Sequence, residues 1–123
     1  MNNPVIDTNG NKYWYNDKKQ YHRLDGPAIK YANGNKYWYQ NDKRHRLDGP
    51  AIELANGTKK WYQNGKYHRL DGPAVEYADG TKYWFVNSEK LTEEEFNACY
   101  GDLYKALVKE FTYIYESVTG TTL

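Results

Sequence analysis

The chain has 123 residues, of which 39% are hydrophobic, and a mean hydropathy of −1.05. That length suits one domain with a modest core, and 14 Tyr, 4 Trp and a net charge of only +1 exclude the composition of a disordered polyelectrolyte. The single cysteine, Cys99, excludes an internal disulfide framework and a multi-cysteine zinc site.

No apolar run approaches the length of a membrane helix, and the opening MNNPVIDTNG lacks a signal-peptide pattern. With the lone cysteine, this leads to the expectation of a cytoplasmic protein. The near-neutral total hides a polarity. Residues 1–87 carry 14 Lys/Arg against 9 Asp/Glu, and residues 88–123 carry 3 against 7. A mildly basic body and an acidic tail present unlike faces, to each other or to partners.

In chain order, the first feature is a repeat. Pro4, Pro27, Pro50 and Pro73 are each 23 residues apart, Trp38, Trp61 and Trp84 keep that period, and HRLDGPA recurs from His22, His45 and His68. Trp14 falls one residue out of step, so the first unit, 4–26, is divergent. The units 27–49, 50–72 and 73–90 come after it, giving an array over 1–90. Within each unit, Asn33-Gly34, Asn56-Gly57 and Asp79-Gly80 predict two-residue type I′ hairpin turns. Asn64-Gly65 and Asn41-Asp42 mark a second turn, and Asp25-Gly26-Pro27 with its copies marks a third. The β-rich flanks predict two or three short antiparallel strands per unit.

A two-residue turn at Asn33-Gly34 sets Ile29 opposite Trp38 and Ala28 opposite Tyr39. The expected core face then carries Ile29, Ile52 and Val75 with the tryptophans. The other face carries Ala28, Ala51 and Ala74 beside Tyr39, Tyr62 and Phe85. One such hairpin is not stable alone, so the units must stack into a longer sheet.

Residues 91–123 change period. Thr92 and Glu95 form a capping box, with Leu91 and Phe96 at hydrophobic-staple positions. Phe96, Tyr100, Leu103, Leu107, Phe111, Ile114 and Val118 keep helical spacing. The expectation is a helix over about 93–117, in one piece or two divided near Gly101, capping the array. Thr112-Tyr113-Ile114-Tyr115 leaves a strand as the alternative there. The fold class expected is α+β, mainly β: antiparallel hairpin repeats in a single elongated sheet, with a C-terminal helix or helix pair packed on one face.

The pattern G-P-A-x-x-Y-A-N-G-x-K-x-W-Y-x-N-G-K-x-H-R-x-D-G-P resembles MORN-type β-hairpin repeats. It is closest to the variant in antitoxin-like bacterial proteins and in small proteins of bacteriophages and large DNA viruses. The ending Lys90-Leu91-Thr92-Glu93-Glu94-Glu95-Phe96-Asn97 is similar to the segment after the last repeat in such viral proteins. The resemblance covers residues 4 to about 97. It implies a hairpin-repeat fold and a binding scaffold, in the setting of a phage-encoded accessory protein that meets a host protein and blocks, or is sensed by, a host defence system.

The histidines His22, His45 and His68, with Arg23, Asp25, Arg46, Asp48, Arg69 and Asp71, invite a metal or acid–base reading. With two or three strands per unit, equivalent residues lie about 10–14 Å apart, whereas zinc holds nitrogens at about 2.0–2.1 Å. The arginines and aspartates are therefore read as structural turn pairs, with no metal and no cofactor. Cys99 reads as a small helix residue, and no Ser-His-Asp set recurs, so no enzyme is expected. Lys18-Lys19, Lys43-Arg44 and Lys59-Lys60 among aromatics make nucleic-acid binding one alternative. A small molecule or nucleotide between aromatic rows is another.

The aromatic row Tyr15, Tyr39, Tyr62 and Phe85, with Tyr37 and Tyr83 alongside, is the favoured site, because rigid tyrosine rings bury much area at low entropic cost. The expected partner is a protein, with no membrane. The first unit's edge strand also leaves self-association open.

Overall fold

The computed structural model describes residues 3–120, apart from the side chains of 102–108 and 115. Each unit contributes one hairpin to a continuous antiparallel sheet. In order across it, the strands are β1 (Val5–Ile6), β2 (Lys12–Tyr13), β3 (Ile29–Lys30), β4 (Lys36–Tyr37), β7 (Ile52–Glu53), β8 (Lys59–Lys60), β11 (Val75–Glu76), β12 (Lys82–Val86) and β13 (Glu89–Leu91). Two further hairpins, β5 (Tyr39–Gln40) with β6 (Lys43–Arg44) and β9 (Tyr62–Gln63) with β10 (Lys66–Tyr67), leave the sheet just beyond Trp38 and Trp61. In the last unit the strands on either side of Trp84 run together as β12.

The first turn of each unit differs from the expected type I′. Tyr31 N–H donates to the Asn35 carbonyl at 2.9 Å and Gly34 N–H to the Tyr31 carbonyl at 3.0 Å, which closes a three-residue loop. Only the glycine takes positive φ (Gly34 +98°, Gly57 +97°, Gly80 +91°), as in a type I turn followed by a left-handed bulge residue. Asn33 instead accepts the Asn35 N–H on its side chain at 3.0 Å. The two-residue turns with both φ positive are the second ones, Asn41-Asp42 (+50°, +65°), Asn64-Gly65 (+52°, +81°) and Asn87-Ser88 (+49°, +65°).

That one extra residue moves the register by one and exchanges the faces. Ile29 pairs with Tyr37, and Ile52 pairs with both Tyr37 and Lys60. The expected pairing of Ile29 with Trp38 and Ala28 with Tyr39 is therefore corrected. Isoleucine and valine share a face with the tyrosines; the alanines share the other with the tryptophans. Both faces bury apolar groups. Ile29 and Ile52 are buried, Ile52 in a cluster with Tyr62, Tyr37 and Tyr67, while Ala28, Ala51 and Ala74 are 0% exposed and their carbonyls accept the backbone N–H of Trp14, Trp38 and Trp61.

The unit-to-unit bonds explain why the array holds as one body. Side-chain oxygens of Asn11, Asn35 and Thr58 accept the backbone N–H of Ala32, Ala55 and Ala78 at 2.8, 2.8 and 3.2 Å. Nδ1 of His22, His45 and His68 accepts the N–H of Asn41, Asn64 and Asn87 in the next unit's turn at 3.1, 3.0 and 3.2 Å.

The helical segment starts at α1 (Glu93–Phe96), where the expected capping box is formed: Thr92 Oγ1 accepts from Glu95 N–H at 3.1 Å and Glu95 Oε1 from Thr92 N–H at 3.0 Å. A π-helical turn, Asn97–Gly101, leads into α2 (Asp102–Thr119), which closes on left-handed Gly120 (φ +69°). Gly101 thus widens the helix rather than ending it, and Thr112–Tyr115 is helical, not a strand. Phe96 is buried and shares a cavity lining with Leu70, Pro73 and Trp84, so α1 covers the end of the tryptophan face. The described apolar side chains of α2, among them Ile114 and Val118, are exposed. Packing against the sheet is thus made by α1 and the turn after it, as far as the described side chains go.

Candidate functional site

The repeated HRLDGPA resolves into a clamp on the tryptophan face. The guanidinium carbons of Arg23, Arg46 and Arg69 each lie 3.9 Å from the ring centroid of Trp14, Trp38 and Trp61. Each arginine also holds the aspartate two residues on, Asp25, Asp48 and Asp71, at 2.8–2.9 Å. Its Nη1 donates to the carbonyl of Pro27, Pro50 or Pro73 at 3.0–3.2 Å. The intervening glycine lets the guanidinium lie close, since a Cβ at Gly49 would sit 2.8 Å from Arg46 Cζ and push it aside. The pairing expected for these arginines and aspartates is therefore present within each of the three units that carry them, and it holds the Asp48 carboxyl below the usual carboxylate range. The indole stack was not legible in advance, because the expected register put the tryptophans on the wrong face.

Leu24 and Leu47, the remaining letter of the motif, are 75% exposed. Among the described residues no three His, Cys, Asp or Glu side chains gather as metal ligands, and the histidine Nδ1 atoms are already engaged with amides. Cys99 is exposed.

The opposite face is built of phenol rings. Tyr15 stacks on Tyr21 (centroids 5.2 Å) and Tyr21 meets Tyr39 at 5.5 Å. Tyr13 touches Tyr21 at 6.3 Å and Tyr31 at 6.2 Å, and Tyr31 meets Tyr37 edge-on at 5.6 Å. Six half-exposed tyrosines from the first two units thus form one connected patch. The column continues through Arg44, which donates to the hydroxyls of Tyr39 and Tyr62 at 3.3 Å each, and then through Tyr62, Tyr67 and Phe85 (4.3 and 4.9 Å).

The structure therefore brings the expected residues Tyr15, Tyr37, Tyr39, Tyr62, Tyr83 and Phe85 to one face. Tyr62 is only 6% exposed and belongs to the core cluster with Ala51 and Ile52. Tyr83 lies in a separate edge-on pair with Tyr77, under Lys90 at 4.3 Å. Tyr13, Tyr21 and Tyr31 were missed. Tyr13 could have been found from the Tyr-Trp-Tyr triplets around Trp14 and Trp38, whose outer residues strand alternation places on one side; Tyr21 and Tyr31 flank no tryptophan and join the patch only through the register. Burial is the leading cause that raises the hydroxyl pKa of Tyr13, Tyr21, Tyr37 and most of all Tyr62, so these phenols stay neutral near pH 7.

The dibasic pairs do not form one track. Lys59 belongs to the tryptophan face, paired with Glu53 and Glu76, while Lys60 lies over Tyr77 at 5.6 Å on the other side. Arg44 is held among rings, Lys43 is exposed, and Lys18 and Lys19 sit on an exposed turn. No helix among the described residues is long and apolar enough to cross a membrane.

Comparison with protein-family models, curated proteins and solved structures gives no match. The functional reading rests on the geometry.

Proposed function

We propose that the chain is a non-enzymatic repeat scaffold that binds another protein through the tyrosine face. The observation that carries this reading is the six-ring patch of Tyr13, Tyr15, Tyr21, Tyr31, Tyr37 and Tyr39, half-exposed and held in place by ring-to-ring contact. Rigid, pre-packed tyrosines lose little side-chain entropy on association and present both an apolar body and a hydroxyl. The MORN-type resemblance of the repeat supports the same reading, and its viral members suggest a host protein as partner.

The test is capture from cell lysate, with and without nuclease, comparing the wild-type chain with two surface variants. Tyr37→Ala/Tyr39→Ala removes rings from the patch, while Leu24→Ser/Leu47→Ser alters the other face and leaves the patch intact. The expected result is a stoichiometric protein, indifferent to nuclease, that survives the leucine changes and is lost with the tyrosine changes. Retention by a folded tyrosine variant, or loss on nuclease treatment, contradicts the proposal.

A further inference from the structure

The charged row on the tryptophan face breaks its own pattern at one end. Across the sheet the paired residues read Lys12, Lys30, Lys36, Glu53, Lys59, Glu76 and Lys82. In the units 50–72 and 73–90 a glutamate occupies the middle place and also meets the clamp arginine of the unit before: Arg46 lies 3.6 Å from Glu53 and Arg69 3.3 Å from Glu76. In the unit 27–49 the residue in that place, seven after Arg23, is Lys30.

Lys30 is then flanked directly across both ladders by Lys12 and Lys36, and it stands where Glu53 and Glu76 meet the clamp arginines Arg46 and Arg69. Among the described residues none of these three lysines has a carboxylate within 4.0 Å; Asp25 is taken by Arg23, and Glu53, across from Lys36, is taken by Arg46. Like charges directly opposite one another in a sheet are destabilising. The neighbouring units show that the same backbone accepts glutamate at this place. A local rule broken where the fold offers a ready alternative points to function.

We propose that Lys12, Lys30 and Lys36 form a cation site that takes a short run of carboxylates from an acidic segment of a partner protein. This rests on the protein-binding reading above and adds the partner's charge to it. Two features favour a protein segment over a nucleic-acid backbone. The row is three strands wide, about 10 Å at ordinary strand spacing, and beyond it Glu53 and Glu76 alternate with Lys59 and Lys82, so a long polyanion meets no continuous cationic track. The indoles beside it are capped by arginines, so no open ring is available for base stacking. Exposed lysines of this kind steer and orient a partner more than they hold it.

The test is an amide chemical-shift titration of the whole chain at low ionic strength, with a hexaglutamate peptide and, separately, a short DNA duplex as probes. Hexaglutamate is expected to move the amides around Lys12, Lys30 and Lys36. Lys30→Glu, which restores the pattern of the other units, should weaken that binding at least tenfold while raising the melting temperature. Absence of a localised shift in the wild type, or an unchanged affinity in Lys30→Glu, overturns the site. A duplex that binds the same lysines more tightly than hexaglutamate overturns the assignment to carboxylates. The tyrosine patch lies on the other side of the sheet, so failure here leaves it standing. Conversely, loss of a role for the tyrosines would not alter the hexaglutamate result.

Discussion

Arg46 shows what a single side chain contributes to this array. It covers the Trp38 ring, pairs with Asp48 and Glu53, and satisfies the Pro50 carbonyl. A cation–π contact gives about 0.5–2 kcal/mol and a charged hydrogen bond about 1.5–3 kcal/mol, and partial exposure reduces both. Arg46→Ala is expected to cost roughly 2–3 kcal/mol in denaturant unfolding, and Arg46→Lys should recover less than half, because lysine lacks the planar fork. Tyr62 gives a pH signature. Its hydroxyl pKa is raised well above the usual 10.0, first by burial and next by its hydrogen bond with Tyr67, so the folded chain keeps a proton that the unfolded chain releases. Its contribution is therefore complete below about pH 10 and is lost as pH rises beyond that value. Thermal melts between pH 9 and 11 should show stability falling, with a shallower fall in Tyr62→Phe.

The turns decide what could be read in advance. The period, the hairpins, the structural pairing of Arg with Asp and the capping box at Thr92 all come from local chemistry. The register does not, because Asn-Gly fits both a two-residue turn and the end of a three-residue turn, and the two place every side chain on opposite faces. The choice is made by packing: alanine is fully buried on the tryptophan side, whereas isoleucine is buried on the tyrosine side. Gly57 distinguishes the two turns experimentally. At φ +97° with open space around it, Gly57→Ala should cost about 1 kcal/mol from the backbone alone, whereas Asn56→Ala, at negative φ, should cost only its side-chain bond to Thr58. Equal large losses at both positions in chemical denaturation would favour the type I′ turn instead.

At the scale of the whole molecule, the sheet stabilises both of its faces with planar groups: indoles under guanidinium on one, phenol on phenol on the other. At the far end, Thr92 stands where the fourth unit, run to full length, would place its arginine, and α1 brings Phe96 into one cavity lining with Trp84 in its stead. The array is thereby finished by an acidic helix start, while the opposite end keeps its lysine row and the tyrosine patch. The functional content was only partly legible. The aromatic row could be named from the repeat, but the six-ring patch and the lysine row depend on the true register. The most direct test of the tyrosine face is hydroxyl-radical footprinting of the chain alone and with its captured partner. Protection of Tyr13, Tyr15, Tyr21, Tyr31, Tyr37 and Tyr39, with Leu24 and Leu47 unchanged, is the predicted result; protection confined to the leucine and tryptophan side would contradict it.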